Sequence, residues 1–370
     1  MAAGTLEFPA TTLPCEPTMR TNPADRMRLR LSVLDQSPIR AGTTAADALA
    51  ESIALAQRAD ALGYERYWVA EHHGSKSFAG SSPEIMITRI ASATQRIRVG
   101  SGGVMLVHYS PYKVAENFKV LGNLFPNRID LGIGRAPGSD GLTAAALAYG
   151  STIGIDYFPA KVGDLVGFLA DTPPLTEAFA RVSATPLVEH VPPVWVLGSS
   201  DSSALLAAHF GLPFSFAHFI NARDCASALS MYRTNFRPSP SCRAPQINIG
   251  VFALCADTAQ DAAHMAACRD LWRLRAERGE FGGYPSVEEA LSYPYTPAER
   301  AQIETRRAKQ ILGGAHEVRD QLLNLAAEFD VDELMILSIT PLFSQRIRCY
   351  ELLAAAFNLA SNNATTAAIV

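Results

Sequence analysis

Eight short apolar runs, each followed by a helix-forming stretch, restrict what this 370-residue sequence can fold into. The runs are Arg28–Leu34, Tyr64–Ala70, Ile97–Gly102, Arg128–Ile133, Pro193–Leu197, Leu212–Ala217, Ile247–Leu254 and Glu333–Ser338. They are near-continuously hydrophobic, the pattern of strands buried on both faces. Between them lie amphipathic stretches such as Ala45–Leu62, which stops at Gly63, and Pro83–Thr94, which opens on proline. Helical crossovers join parallel neighbours, so this order predicts a parallel sheet. Eight such units point to an α/β fold, a (β/α)8 TIM barrel with insertions, rather than to an open doubly wound sheet. The first strand is not followed by the G-x-G-x-x-G turn of a dinucleotide domain.

The barrel is expected to span residues 27–360. Residues 1–26, rich in Pro, Thr and Ala and without period, read as a flexible arm, and 361–370 as a tail. The arm lacks the basic start and apolar stretch of a secretory signal. Residues 277–309 form an insertion bearing arginine and tyrosine, read either as a solvated amphipathic segment or as a lid or substrate wall. The net charge is −4 with both signs mixed along the chain, so no basic stripe invites nucleic acid or an anionic membrane. No apolar run approaches the roughly 20 residues that span a bilayer. Six scattered cysteines without a C-x-x-C pair argue against a disulfide framework or a structural zinc site, and a cytoplasmic location is expected.

In such a barrel, functional residues gather where strands end. Strand two ends in Glu71-His72-His73, strand three in Gly100-Ser101-Gly102-Gly103, strand four in Gly132-Ile133-Gly134-Arg135 and strand five in Gly198-Ser199-Ser200-Asp201-Ser202-Ser203. The strand-five turn combines a glycine, hydroxyls and a helix N-terminus, which suits an anion, although a plain Ser or Asp helix cap reads the same way. Arg135, on the neighbouring strand, could fork onto phosphate or pair with Asp130 or Asp140. The strand-three glycines admit a flat ligand or mark a bulge. His72 and His73 are adjacent on extended chain and point opposite ways, so they do not readily share a metal, and no metal site is expected.

The chain resembles the bacterial-luciferase-like family of flavin-dependent oxidoreductases. The likeness rests on SVLDQSPI, YERYWVAEHHG, IRVGSGGVML, RIDLGIGRAPGSD and PPVWVLGSSDSSALLAA, and covers about Leu31 to Phe219 closely. It implies that Arg135, Ser199 and Ser202 hold the phosphate of FMN, with Gly198 supplying backbone. By the same resemblance Gly102-Gly103, often joined by a cis peptide, packs against the isoalloxazine ring. His72 would be the acid/base group beside the reactive flavin edge, and Glu71 would orient the site or stabilise that histidine.

The implied activity is a two-component monooxygenase. A separate flavin reductase supplies FMNH2, O2 adds to give a C4a-peroxyflavin, and oxygen passes to a small organic substrate such as a biosynthetic intermediate. The resemblance also implies a homodimer, with helices two and three in contact. Two alternatives remain open: hydride transfer with the deazaflavin F420 on the same scaffold, and a flavin-binding protein without turnover. The loops Val107-His108-Tyr109 and Thr340-Pro341-Leu342-Phe343 depart from the nearest subgroup, so substrate identity does not carry over.

Overall fold

The computed structural model describes residues 29–150, 156–307 and 310–359. The arm at 1–26 and the tail at 361–370 lie outside the described residues. In chain order, β1 (Arg30–Asp35), α1 (Ala45–Leu62), β2 (Arg66–Val69), α2 (Pro83–Ala93), β3 (Arg98–Met105), α3 (Pro111–Leu124) and β4 (Ile129–Gly134) alternate strictly. Then come α4 (Gly141–Ala148), α5 (Phe158–Leu169), β5 (Val194–Gly198), α6 (Asp201–Phe210), β6 (Phe214–Ala217), α7 (Cys225–Asn235) and β7 (Ile247–Ala256). The rest is α8 (Ala259–Glu277), α9 (Val287–Ser292), α10 (Pro297–Arg307), β8 (Ile311–Gly314), α11 (Ala315–Phe329), β9 (Glu333–Leu337) and α12 (Phe343–Phe357).

Strands β1 to β7 and β9 pair in parallel, and the β6–β7 and β1–β9 pairings close them into a (β/α)8 barrel. The expected fold is therefore the observed one. The extra strand, β8, pairs only with the far end of β7, from Ala253 opposite Ile311 to Ala256 opposite Gly314. Its four residues, Ile-Leu-Gly-Gly, are too short and glycine-rich to announce a strand. β3 likewise runs three residues beyond Gly102, which reads as a strand end in the sequence but sits at a register shift between Ser101 and Val104.

Helix ends follow local chemistry. Thr44 and Asp47 form a reciprocal capping box at the start of α1, and Gly63 closes it at φ 89°, a left-handed conformation glycine adopts without penalty. No described helix is long and apolar enough to cross a membrane.

The barrel interior sets the packing of the mouth. Trp68 of β2 and Trp195 of β5 meet edge to face at 5.4 Å between centroids. The room comes from glycines on β3 and β4: a Cβ on Gly132 would lie 2.2 Å from the Ser101 carbonyl oxygen, and one on Gly100 2.5 Å from that of Asp130. Gly132→Ala is therefore expected to force the β3–β4 pair apart and cost about 1–3 kcal/mol, the usual penalty of overpacking. Urea unfolding of the variant beside the parent measures it, and an unchanged midpoint would refute the packing argument.

Candidate active site

Ends of β2, β3, β4 and β5 converge on one mouth, as the parallel order requires. Glu71, just past β2, is almost fully buried. Its Oε2 accepts from the Met105 backbone N–H at 3.0 Å, and its Oε1 accepts from the Tyr109 hydroxyl at 2.6 Å. His73 Nε2 lies 2.6 Å from the same Oε1. Burial and this bond to Glu71 push the Tyr109 phenol well above its usual range. Thus Glu71 grips His73 and Tyr109 and makes no hydrogen bond to His72 among the described residues. The reason is the strand period: residues i and i+2 share a face, and i+1 does not.

His72 turns the other way. Its ring stacks at 4.6 Å on Phe78, its backbone N–H donates to the Gly80 carbonyl at 2.8 Å, and its Nδ1 is buried with no hydrogen-bond partner among the described residues. Burial, reinforced by nearby His73, lowers its pKa to about 4. At neutral pH it is an uncharged imidazole with buried, unspent hydrogen-bonding capacity.

The loop after β3 is strapped from two sides. Besides Tyr109 on Glu71, Lys161 of α5 donates to the carbonyls of Leu106, Val107 and Tyr109 at 3.2, 2.8 and 3.0 Å. His108 Nε2 sits 2.7 Å from the Pro137 carbonyl. His73, Tyr109 and Lys161 are given no role in the site by the sequence. The period-two rule would have found His73; the other two join the site only through tertiary folding.

The Gly102–Gly103 peptide is cis. A Cβ on Gly102 would lie 2.7 Å from Leu34 Cδ1, and one on Gly103 2.7 Å from the Gly132 carbonyl oxygen. The barrel's own packing thus demands glycine at both positions, and the β3–β4 register shifts here, between Ser101 and Val104.

On the next strands round the barrel, Gly134 registers with Leu197, so Arg135 and Gly198 follow side by side. Arg135 is exposed and makes no hydrogen bond or ion pair among the described residues. Neither alternative partner takes it: Asp130 is bound by Arg66 and Arg98, and Asp140 caps α4 through the Thr143 N–H. The α6 N-terminus has no side-chain cap, and the Ser199 and Ser202 hydroxyls are unengaged among the described residues. Ser203 Oγ donates backwards to the Ser200 carbonyl at 2.7 Å, and Asn221 steadies the turn through the Ser199 carbonyl at 3.0 Å. Gly198 is obligatory, since a Cβ there would fall 2.0 Å from Ser203 Oγ. Guanidinium, two hydroxyls and open backbone N–H groups form a cradle suited to a phosphate.

Two cavities, about 350 and 900 Å³, open at the other end of the barrel, where strands begin. Arg66 and Arg98 in their lining are held in internal ion pairs with Asp130 and Glu333, and the strand-end residues lie at the opposite mouth, which is the candidate site. Among the described residues no group of three His, Cys, Asp or Glu side chains is placed to hold a metal.

Fold and mouth together define a parallel barrel whose strand ends carry an unpaired arginine, two unengaged serine hydroxyls and a buried imidazole. The chain belongs to the luciferase-like monooxygenase family, whose model matches residues 27–148. It is 36% identical to a luciferase-like monooxygenase of Escherichia coli K12 over 83% of this chain and 91% of that protein. It is also 36% identical to the N-acetyl-S-alkylcysteine monooxygenase of Bacillus subtilis, over 88% of this chain and 97% of the relative. Among solved structures, apo-MsnO8 superposes with a TM-score of 0.82 at 39% identity, covering 90% of this chain and 99% of that one.

Proposed function

We propose that this protein is the oxygenating component of a two-component monooxygenase, taking FMNH2 from a separate flavin reductase and using O2 to oxygenate a small organic substrate. The observation that carries the reading is the unspent cradle of Arg135, Ser199 and Ser202 around the uncapped α6 N-terminus. These residues fit a flavin phosphate. When bound, reduced FMN supplies the electrons and the oxygen-activating carbon. The chain's own residues position the cofactor, exclude water and move protons. Arg135, Ser199, Ser202 and Gly198 would hold the phosphate, and the Gly102–Gly103 segment would back the ring. His72, neutral and desolvated, would accept a proton from substrate or cofactor, with Glu71 fixing Tyr109 and His73 around it.

A homodimer is part of the same reading. Ile85 on α2 and Val120 and Leu124 on α3 are exposed apolar side chains on the two helices proposed to meet.

The test is an anaerobic titration with FMNH2 followed by rapid mixing with O2. A transient flavin absorbance distinct from both FMNH2 and FMN, outliving that of free FMNH2, supports the proposal. Binding without that transient would indicate a flavin carrier, and failure to bind FMNH2 while binding F420 would indicate hydride transfer. Arg135→Ala is expected to weaken FMNH2 binding about 10- to 100-fold, since hydrogen bonds to charged groups contribute about 1.5–3 kcal/mol. Unchanged affinity would remove Arg135 from the cradle.

A further inference from the structure

The wall of the mouth built by α8 holds a cation that no hydrogen-bonding group among the described residues satisfies. Arg269 places its guanidinium carbon 3.4 Å above the centre of the Phe252 ring, and Phe252 belongs to β7 with its side chain in the barrel-mouth core alongside Leu34, Trp68 and Ala70. The guanidinium makes no hydrogen bond or ion pair among the described residues. Asp270, the nearest carboxylate in sequence, is bound instead by Arg307 at 2.5 Å. A ring face attracts the charge but offers no acceptor for five N–H donors.

A second orphan lies in the same apolar cluster as Phe252. Tyr284 is 3% exposed, and its hydroxyl is buried without a partner among the described residues. Its backbone is fixed, since the Tyr284 N–H donates to the Ile39 carbonyl and its own carbonyl accepts from the Ala41 N–H. The Tyr284 ring packs on Trp272 at 6.3 Å, Trp272 on Phe78 at 5.8 Å, and Phe78 on His72 at 4.6 Å. Phe252, under the unpaired guanidinium, shares one apolar cluster with Tyr284, against which Trp272 and Phe78 pack, and Phe78 reaches the unpaired imidazole. Burial lowers the Arg269 pKa to about 10, which leaves it charged at neutral pH.

We propose that Arg269, assisted by the Tyr284 hydroxyl, binds an anionic carboxylate on the substrate, whose apolar body lies along Phe78 and Trp272 towards His72. A planar carboxylate accepts two parallel N–H bonds from the fork and one O–H bond from the phenol, which satisfies both orphans together. The substrate class is then an organic acid with an apolar or aromatic segment. This inference rests on the mouth being the oxygenation site, and its test separates the two.

The probes are the series from phenylacetate to 5-phenylpentanoate and the matching neutral amides, titrated by calorimetry into the full-length protein. At least one carboxylate is expected to bind ~10-fold or more tighter than its amide, the value of a charge-assisted hydrogen bond. In Arg269→Met, which keeps an apolar stem on Phe252, the preference should fall to within about twofold, and Arg269→Lys should restore part of it. FMNH2 affinity, measured on the same variants, should not move. No carboxylate preference anywhere in the series, or a preference that survives Arg269→Met, overturns the inference. A loss of FMNH2 binding in Arg269→Met would instead assign this arginine to the cofactor and equally overturn it. Failure of the parent protein to bind FMNH2 would sink the proposed function while the carboxylate comparison stayed readable.

Discussion

His72→Asn is expected to lower turnover by about 10²- to 10⁴-fold, the usual contribution of a positioned acid/base group, while leaving FMNH2 affinity nearly unchanged. The imidazole is desolvated, stacked on Phe78 and unpartnered at Nδ1, so among the described residues nothing competes for its lone pair or proton there. Its pKa of about 4, set by burial and then by His73, predicts a rate that is flat in its dependence on this group from about pH 5 upward and falls as pH drops through 4. An ordinary exposed histidine would bend the profile near 6.5 instead.

Stability carries the same signature. The folded pKa lies below the ordinary 6.5, so between these values the unfolded chain binds more protons than the folded one. The contribution of His72 is fully present above pH 6.5 and is lost as pH falls towards 4, to the extent of about 3 kcal/mol at most. Urea unfolding at pH 5 and pH 7.5 should show a smaller difference for His72→Asn than for the parent. Equal differences, together with undiminished turnover, would exclude His72 from the chemistry.

Legibility differed by element because the forces that fix each one differ in range. The barrel was readable because eight buried strands and their helices write their periods locally, and helix ends such as Thr44–Asp47 and Gly63 use neighbours in sequence. β8 was not, since its only warrant is an open edge on the far end of β7. Within the site, the fate of each residue was harder to read than its location. Arg135 could be named from its place at a strand end, but only folding shows Asp130 and Asp140 already committed elsewhere. Glu71 likewise could be named, yet its partner Tyr109 lies 38 positions away. Arg269 sits mid-helix among other arginines and carries no local mark. Its significance comes from the absence of an acceptor, which no sequence pattern records.

Asp130→Ala is expected to destabilise the protein by about 3–5 kcal/mol, the cost of stranding a buried charge, while the purified variant keeps its FMNH2 affinity at low temperature. Asp130 is completely buried near the start of β4. Its Oδ2 accepts from Arg66 Nη1 at 2.8 Å and from the Trp68 indole N–H at 3.0 Å, while Oδ1 accepts from Arg98 at 2.6 Å. Arg66 also reaches buried Glu333 at 2.9 Å, and Glu333 accepts from the Ser32 hydroxyl at 2.7 Å, so the cluster ties β1, β2, β3, β4 and β9 together. Burial alone would raise the Asp130 pKa, and Arg66 and Arg98 outweigh it, holding the carboxyl below its usual range. The contribution is therefore present above the unfolded pKa near 3.8 and is lost as pH falls through the lower folded value. Removing the carboxylate leaves Arg66 with Glu333 alone and orphans the Trp68 indole, whereas Arg98, partly exposed, can turn to water. A double-mutant cycle isolates the effect: Arg66→Ala with Asp130→Ala should cost clearly less than the two singles summed, because the second change removes the charge the first left uncompensated. Strict additivity would mean the network does not act as a unit. The cluster lies where strands begin, and the proposed cofactor cradle lies where they end. A parallel loss of FMNH2 affinity in the folded Asp130 variant would therefore contradict the separation between the barrel's structural end and its chemical one.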